Sequence, residues 1–311
     1  MSAENQKHIP STHDSEHDER NDNLKIYVDG ELLPKQDAKV SVYDSGFMMG
    51  DGVWEGMRLY KGKLAFVDEH LERLYESAYF LDIDIGVSRD EMKAILKLTL
   101  DANNMSDNAH VRLMVSRGRK TKPFQDPRLS QFGSTIVVIA EHSVVREDTA
   151  NTGVTLATVP IVRGLPTTQD PKLNSHCKLN CIMALNHALK AGANEALMLD
   201  PHGFVNTSNS CNFFIVRKGE VWTSTGDYCM NGITRKKVIE VCEENGIPIR
   251  LKNYSLYETY SADEAFLTGT FGGQTPVIEI DGRKIGDGKP GPVMQKIRAL
   301  YKQKIVDTAT M

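Results

Sequence analysis

The pattern of apolar and polar positions predicts an α+β protein. Residues 25–33 predict a hairpin, with its turn at 29–31, and the alternating residues over 110–116 and over 38–42 each predict a strand. Apolar residues recur every three or four positions over 68–81 and 89–102, which predicts helices, the first with Asp68 as its N-cap. We therefore expect a small N-terminal α+β domain over residues 24–150.

The same reading continues through a larger C-terminal domain, expected over residues 151–311. A helix is predicted up to Lys190, where Gly192 ends it, followed by a strand over 195–199. A second strand begins at Phe204, and a polar bend over 206–209 leads to a third strand over 213–216. Residues 1–23 are almost wholly polar and cannot bury enough apolar surface to fold, so we expect a disordered tail.

Composition and charge exclude several classes of protein. With 40% hydrophobic and 25% charged residues, the 311-residue chain is typical of a soluble globular protein. Its net charge of −4 gives no support for nucleic-acid binding, and it has no apolar run that predicts a membrane span. Its five cysteines lack zinc-ligand spacing, so we expect reduced thiols, no metal and a cytoplasmic location.

Three motifs indicate phosphate binding. Gly232-Ile233-Thr234-Arg235 opens a predicted helix, whose free backbone N–H groups and positive dipole end favour a dianion. Thr268-Gly269-Thr270 follows a predicted strand, and Arg73 lies in a helix where its guanidinium could form two parallel hydrogen bonds to oxygens. Each motif alone could be a helix cap, a turn or a surface charge.

Together, in this order, and with a lysine just ahead of the helix that Gly192 ends, they resemble the class IV aminotransferases. These are pyridoxal-phosphate (PLP) enzymes of fold type IV, and they include branched-chain and D-amino acid aminotransferases and aminodeoxychorismate lyase. The resemblance spans residues 24–304. It implies two α/β domains with PLP between them, and a homodimer. The cofactor-binding residues that it implies are Arg73, Thr207, Ile233, Thr234, Gly269 and Thr270.

The resemblance also implies a lysine that forms a Schiff base with PLP and moves the proton between two carbons. Counting back from Gly192 without gaps places the family's lysine at Asn174, between Lys172 and Lys178. Lys178 is favoured because Leu179 and Asn180 follow it and the helix begins there. The alternatives are Lys172, or two solvated loop lysines with no catalytic role.

At the position where the family has a glutamate paired with the pyridine nitrogen, this chain has Thr207. A hydroxyl cannot pair by charge with a protonated ring nitrogen, so the cofactor would stabilise negative charge less well. Asn206 or Asn209 could take the role instead.

On the substrate side, the segment from Phe47 to Glu55 resembles the glycine-rich lining of the family's pocket. Arg112 matches an arginine of the branched-chain enzymes that is tied to dicarboxylate binding, and Arg117 resembles the carboxylate-binding arginine of the D-amino acid group. Each arginine could equally belong to a surface ion pair. Phe47, Met49 and Trp54 would make an apolar pocket, though core packing explains them as well.

The resemblance therefore implies an aminotransferase that moves an amino group between an amino acid or amine and a 2-keto acid. Two alternatives stay open: a PLP-dependent lyase of the aminodeoxychorismate type, and a PLP-binding relative without catalytic activity. The sequence does not identify the amino donor or its stereochemistry.

Overall fold

A computed structural model describes residues 10–13, 15–146 and 151–308. The chain forms two compact units. The first, here the N-terminal unit, holds Ser15–Val144, Lys172–Lys178 and the chain from Lys302; the second, the C-terminal unit, holds the segment before Ser15, Val145–Pro171 and Leu179–Tyr301. The class, α+β with mixed sheets, agrees with the expectation from the sequence.

The N-terminal unit is an antiparallel sheet covered by two helices. Its strands follow the order β2-β1-β6-β5-β3-β4. Their bounds are β1 Lys25–Val28, β2 Glu31–Pro34, β3 Gly52–Tyr60, β4 Lys63–Leu64, β5 Ala109–Ser116 and β6 Thr135–His142. The short helix α1 covers Ser45–Met49, α2 covers Val67–Phe80 and packs on β3, and α3 covers Arg89–Ala102 and packs on β1 and β6.

This arrangement follows from the predicted periodicities. Every second residue of β5, from Ala109 to Val115, is buried in the core under α2 and α3. Ser88 and Glu91 form a capping box at the start of α3, so the predicted helix over 89–102 is confirmed.

Two local predictions in this unit are wrong. The alternating residues 38–42 form no strand, because Val40 and Val42 are exposed and their alternation buries neither face. Asp68 is not the N-cap of α2: that position belongs to Phe66, in a left-handed conformation with φ 54°, and Asp68 lies in the first turn.

The C-terminal unit contains a nine-stranded mixed sheet, part of which closes on itself. Six strands form a ring in the order β10-β13-β14-β7-β8-β9, and β9 pairs again with β10. Strands β11 and β12 extend the sheet from β10, and β15 pairs with β14. The bounds are β7 Val154–Thr158, β8 Glu195–Leu199, β9 Val205–Ser208, β10 Asn212–Arg217, β11 Glu220–Thr223, β12 Ile249–Leu251, β13 Glu264–Gly269, β14 Gly273–Ile280 and β15 Arg283–Lys284.

Helices cover parts of this sheet. Their bounds are α4 Pro166–Gln169, α5 Leu179–Lys190, α6 Ile233–Glu244, α7 Leu256–Tyr260 and α8 Pro292–Thr308, the last of which runs past Tyr301 into the N-terminal unit's part of the chain. Helix α5 packs on β7 and β8, and α6 packs on β12 and β13. In the part of the chain that the structure describes, no helix is both long and apolar enough to cross a membrane.

The predicted polar bend over 206–209 is wrong. Residues 206–208 belong to strand β9, and Asn206, Thr207 and Ser208 are all buried. Polar residues can occupy a buried strand when their side chains find hydrogen-bond partners, as these do with Tyr228 and Cys211. The turn itself is confined to residues 209–211.

Part of the segment assigned to a tail contacts the folded chain. Thr12 is 3% exposed, and both its backbone N–H and its hydroxyl donate to the Glu195 carboxylate, at 2.9 and 2.8 Å. The ring of His13 lies 6.0 Å from that of Phe271, and residues 19–23 form a 3₁₀ helix. The prediction for residues 1–9 and 14 falls outside the described residues.

Candidate active site

A row of buried polar side chains crosses four strands of the C-terminal unit. Thr207 on β9 pairs with Asn212 on β10, Asn212 with Thr268 on β13, and Thr268 with Gln274 on β14. Directly opposed residues of paired strands point to the same face, so these four form one line, here called the polar row. Thr207, the candidate partner of the ring nitrogen, and Thr268, from a predicted phosphate-binding motif, therefore lie on one face of the sheet.

Helix α6 begins above the polar row. The Asn212 side chain accepts a hydrogen bond from Gly232 N–H at 3.2 Å and donates to the Met230 carbonyl at 2.9 Å. A Cβ atom on Gly232 would come within 2.4 Å of the Asn212 Oδ1, so a side chain there would displace the Asn212 amide. Gly232 supplies no side-chain cap, which leaves the first N–H groups of α6, at Ile233 and Thr234, without one.

Several buried polar atoms near this helix end lack a partner in the described structure. They are the Thr268 hydroxyl and both ends of the Gln274 amide, in the polar row, and Nε of Arg235 in the first turn of α6. Burial lowers the pKa of Arg235, whose other nitrogens donate to Ser224 and Asn231. Buried polar groups normally have partners, so the donor set fits an anionic, hydrogen-bonding ligand such as a phosphate.

The loop after β13 provides the other predicted phosphate residues. Gly269 ends β13 and Thr270 follows it, and both are half-buried. A Cβ atom on Gly269 would lie 2.7 Å from the Cys211 sulfur, which explains the glycine. The structure thus places Thr207, Ile233, Thr234, Gly269 and Thr270 on or beside the polar row in one unit.

Thr207 and its two neighbours differ in what they can still bind. The Thr207 hydroxyl donates to the Cys211 carbonyl at 2.8 Å. Both ends of the Asn209 amide are engaged, by Ala196 N–H and by Glu195, so Asn209 is held in the scaffold. Asn206 donates to the Tyr228 carbonyl at 2.7 Å, and its amide oxygen has no described partner. Thr207 and Asn206 are both uncharged.

In the N-terminal unit, the segment before α5 is pinned to the start of β3. Ser175 pairs with Val53, Trp54 N–H donates to the Asn174 carbonyl at 3.0 Å, and His176 N–H donates to the Gly52 carbonyl at 2.8 Å. The Trp54 indole N–H donates to the Ser175 carbonyl at 3.1 Å. The bridge with its two backbone hydrogen bonds, together with the indole bond, therefore holds residues 174–176 against β3.

Lys178 lies two residues after this pinned segment, and Lys172 lies two residues before it. The Lys178 amine donates to Oδ1 of Asn174 at 3.1 Å and lies 5.4 Å from the centroid of the Trp54 ring. Lys172 is exposed and lies in a turn. The geometry around Asn174 and Trp54 therefore involves Lys178.

Arg73 belongs to a buried charge network. Its Nε and Nη2 donate to the two oxygens of the Glu55 carboxylate at 2.7 and 2.8 Å, and His70 Nδ1 donates to the same carboxylate at 2.6 Å. Glu55 is 0% exposed. Burial by itself would raise the pKa of Glu55, but the charge of Arg73 and the hydrogen bonds from Arg73 and His70 lower it to about 2. Glu55 thus holds Arg73 in a fixed orientation.

The two candidate substrate arginines are placed differently. Arg117 donates to both oxygens of Asp51, at 2.7 and 3.0 Å, and to the carbonyls of Leu81 and Asp82. The Arg112 guanidinium stacks on Trp54, with 4.2 Å between its central carbon and the ring centroid, and burial lowers its pKa. Arg117 therefore braces the scaffold, whereas Arg112 shares the Trp54 ring with Lys178.

The remaining pocket candidates lie on or next to α1. Asp44 caps this helix, and Gly50 ends it in a left-handed conformation with φ 68°. Phe47 is 68% exposed, and Met49 and Trp54 are half-buried, so these side chains do not form a closed core. In the described parts of the chain, no three His, Cys, Asp or Glu side chains are grouped to hold a metal ion.

Sequence reasoning missed three residues that organise these sites. Glu55 was named only as part of a glycine-rich motif, and Asn174 only as a position in a count. Glu195 is the first residue of an apolar strand whose positions are buried or half-buried. An acidic residue at the start of such a strand could have indicated a buried role.

Comparison with known proteins gives the family. Residues 52–280 match the model of the family described as amino-transferase class IV. The chain is 40% identical over 288 residues to branched-chain-amino-acid aminotransferase-like protein 1 of Arabidopsis thaliana, a match that covers 93% of this chain and 52% of that protein. It is 36% identical to a putative branched-chain-amino-acid aminotransferase of Methanocaldococcus jannaschii, over 90% of this chain and 96% of that protein. The chain thus spans about half the length of the Arabidopsis relatives that it matches.

Solved structures agree. The branched-chain aminotransferase of Thermoproteus uzoniensis with norvaline superposes with a TM-score of 0.82 at 30% identity, covering 92% of this chain and 95% of that one. The T.th. branched-chain amino acid aminotransferase with pyridoxamine 5′-phosphate superposes with a TM-score of 0.85 at 28% identity, with the same coverage. The chain therefore belongs to the class IV aminotransferase family and has its fold type IV architecture.

Proposed function

We propose that this protein is a PLP-dependent aminotransferase that moves an amino group between an amino acid and a 2-keto acid. The observation that carries the proposal is the polar row beneath the uncapped start of α6, a donor set that fits a phosphorylated cofactor, in a member of this family. When bound, PLP supplies an aldehyde that accepts an amino group and a ring that stabilises negative charge.

The residues present would divide the work as follows. The N–H groups of Ile233 and Thr234 and the side chain of Thr270 would bind the phosphate, with Gly269 shaping the loop. Arg73, held by Glu55, would donate further hydrogen bonds to the phosphate. Lys178 would react with the aldehyde and carry the proton during transfer.

Thr207 and Asn206 would face the ring nitrogen as uncharged partners. Since neither supplies a negative charge, they would not stabilise a protonated ring nitrogen, and we expect slower amino transfer than with a carboxylate there. Arg112 would bind a substrate carboxylate beside the Trp54 ring, where burial and stacking hold its guanidinium. Phe47 and Met49 would supply apolar surface for the substrate side chain.

The assembly and location proposed with this activity are a homodimer in the cytoplasm, with the domain boundary near residue 150. Exposed apolar residues in and around α1 and along α5 support a second copy as the partner; they include Val42, Phe47, Leu179 and Ile182. Light scattering of the purified protein would report its mass.

The function is tested by spectroscopy and product analysis. Protein reconstituted with PLP should absorb visible light, and borohydride reduction followed by peptide mapping should fix a pyridoxyl group on Lys178. Adding L-leucine or D-alanine in turn should give the keto acid and pyridoxamine 5′-phosphate, and a keto acid should reverse the change. Turnover without any keto-acid requirement would favour a lyase. Stable PLP binding without turnover across a panel of amines would favour a non-catalytic relative.

A further inference from the structure

The side chain of Asn174 connects the reactive lysine to the scaffold. Asn174 is 2% exposed, and both ends of its amide are used. Nδ2 donates to the Trp54 carbonyl at 2.6 Å, while Oδ1 accepts from the Lys178 amine at 3.1 Å. Its backbone carbonyl accepts a hydrogen bond from Trp54 N–H, so both the backbone and the side chain of Asn174 are bound to β3.

A lysine side chain needs such a contact to hold one position. Its four-carbon stem gives it about 2 kcal/mol of rotamer entropy in the free state. Lys178 lies beyond the pinned residues 174–176, so its backbone alone does not fix the amine. The Asn174 amide oxygen accepts a hydrogen bond from the Lys178 amine, and the Trp54 ring centroid lies 5.4 Å from it.

We propose that Asn174 is the positioning residue for the Lys178 amine, an inference that rests on the proposed function. The amide oxygen holds Nζ beside the Trp54 ring, so that the amine would be in place to react with the cofactor aldehyde. An amide can do this because it accepts a hydrogen bond without adding a negative charge, and so does not favour the unreactive ammonium form as a carboxylate would.

The same geometry supports Lys178 over Lys172 as the reactive lysine. The gap-free count from Gly192 places the family's lysine at residue 174, four positions before Lys178. The Nζ atom of Lys178 is within hydrogen-bond distance of the Asn174 side chain. The Lys178 amine therefore lies next to the position at which the count places the family's lysine, although Lys178 is four residues further along the chain.

The test compares wild-type protein with Asn174→Ala and Asn174→Asp. Stopped-flow absorbance would give the rate of reaction with PLP, and peptide mapping after borohydride would give the lysine modified. Pyridoxamine 5′-phosphate has no aldehyde, so its affinity reports the rest of the site separately. The control is Asn103→Ala. The Asn103 amide also has both ends hydrogen-bonded, but its partners are backbone atoms of Lys25 and Thr99 and no lysine amine.

We expect Asn174→Ala to react with PLP about tenfold more slowly, the effect of losing the one hydrogen bond that holds the amine in place, with unchanged affinity for pyridoxamine 5′-phosphate. Asn174→Asp should move the pH midpoint of the visible band up by about one unit, because the new carboxylate favours the protonated form of the lysine nitrogen that is bonded to the cofactor. A purely structural role would not produce that pH shift. Asn103→Ala should match wild type in both measurements.

The outcomes separate the inference from the function on which it rests. If wild type is labelled on Lys178 and both Asn174 variants react at the wild-type rate and pH midpoint, the positioning role is refuted and the function stands. If wild type is labelled on Lys172, the positioning role is refuted and the function stands with another lysine; if no lysine is labelled, both are overturned.

Discussion

The buried carboxylate of Glu55 should control the stability of the N-terminal unit. Glu55 has no solvent exposure and binds Arg73 and His70 with three short hydrogen bonds. In Glu55→Gln, the amide cannot accept from all three donors, and its own NH₂ group faces one of them. Removing one partner of a buried pair leaves an uncompensated charge on Arg73, and we expect a loss of about 3–5 kcal/mol in the free energy of unfolding.

The pH dependence gives an independent magnitude. The pKa of Glu55 is lowered from its ordinary 4.5 to about 2 in the folded protein, which corresponds to about 3 kcal/mol of stabilisation. Because the folded pKa is the lower one, this stabilisation is fully present above pH 4.5 and is lost as the pH falls towards 2. The difference between wild type and Glu55→Gln should therefore be largest near neutral pH and shrink across that window.

Urea denaturation followed by circular dichroism, at pH values from about 7 down to about 3, would measure both effects. The control is Asp68→Asn, which breaks the exposed ion pair between Asp68 and Lys93 and should cost less than about 1 kcal/mol. A loss below about 1 kcal/mol for Glu55→Gln at neutral pH, or a difference from wild type that stays constant as the pH is lowered, would refute this account of the network.

Two further predictions concern the C-terminal unit. Thr12→Val removes a buried hydroxyl that donates to the Glu195 carboxylate at 2.8 Å, and it should lower the free energy of unfolding by about 1.5–3 kcal/mol in urea denaturation. The control is Thr225→Val, which removes an exposed hydrogen bond to Asp227 and should lower it by less than about 1 kcal/mol. Equal losses in both would contradict the burial argument. Burial raises the pKa of the Cys211 and Cys242 thiols to about 12. Iodoacetamide at about pH 8 should therefore label the exposed Cys177 in the folded protein and should label Cys211 and Cys242 only after urea is added. Rapid labelling of Cys211 in the native protein would be inconsistent with its burial.

Periodicity was enough to predict most of the fold. The helices over 89–102 and 233–244 and the alternating strand over 109–116 follow from local patterns that also bury the correct face. It failed at residues 38–42, where alternation occurs without burial, and at β9, where buried residues are polar. Both failures arise because a local pattern does not state which neighbours a side chain will meet.

The same limit applies to the site residues. The motif at Gly232–Arg235 could be recognised from the sequence because the groups expected to bind a phosphate there are backbone N–H groups at the start of a helix. The position of the Lys178 amine could not, since its hydrogen bond is to Asn174, and Asn174 is itself placed by pairing with a strand 120 residues earlier.

The two candidate substrate arginines have different contacts in the structure, although the sequence made them equal candidates. In sequence, Arg112 and Arg117 are basic residues in and just after one strand, and each matched a different branch of the family. Arg117 stands where the strand has ended, and Asp51 with two carbonyl groups occupies its donors. Arg112 stands inside the strand, opposite Gly56, and its described contact is the face of the Trp54 ring. Because a guanidinium stacked on a ring keeps its hydrogen-bond donors available around its edge, Arg112 can still bind a carboxylate, whereas Arg117 would first have to break its bonds to Asp51.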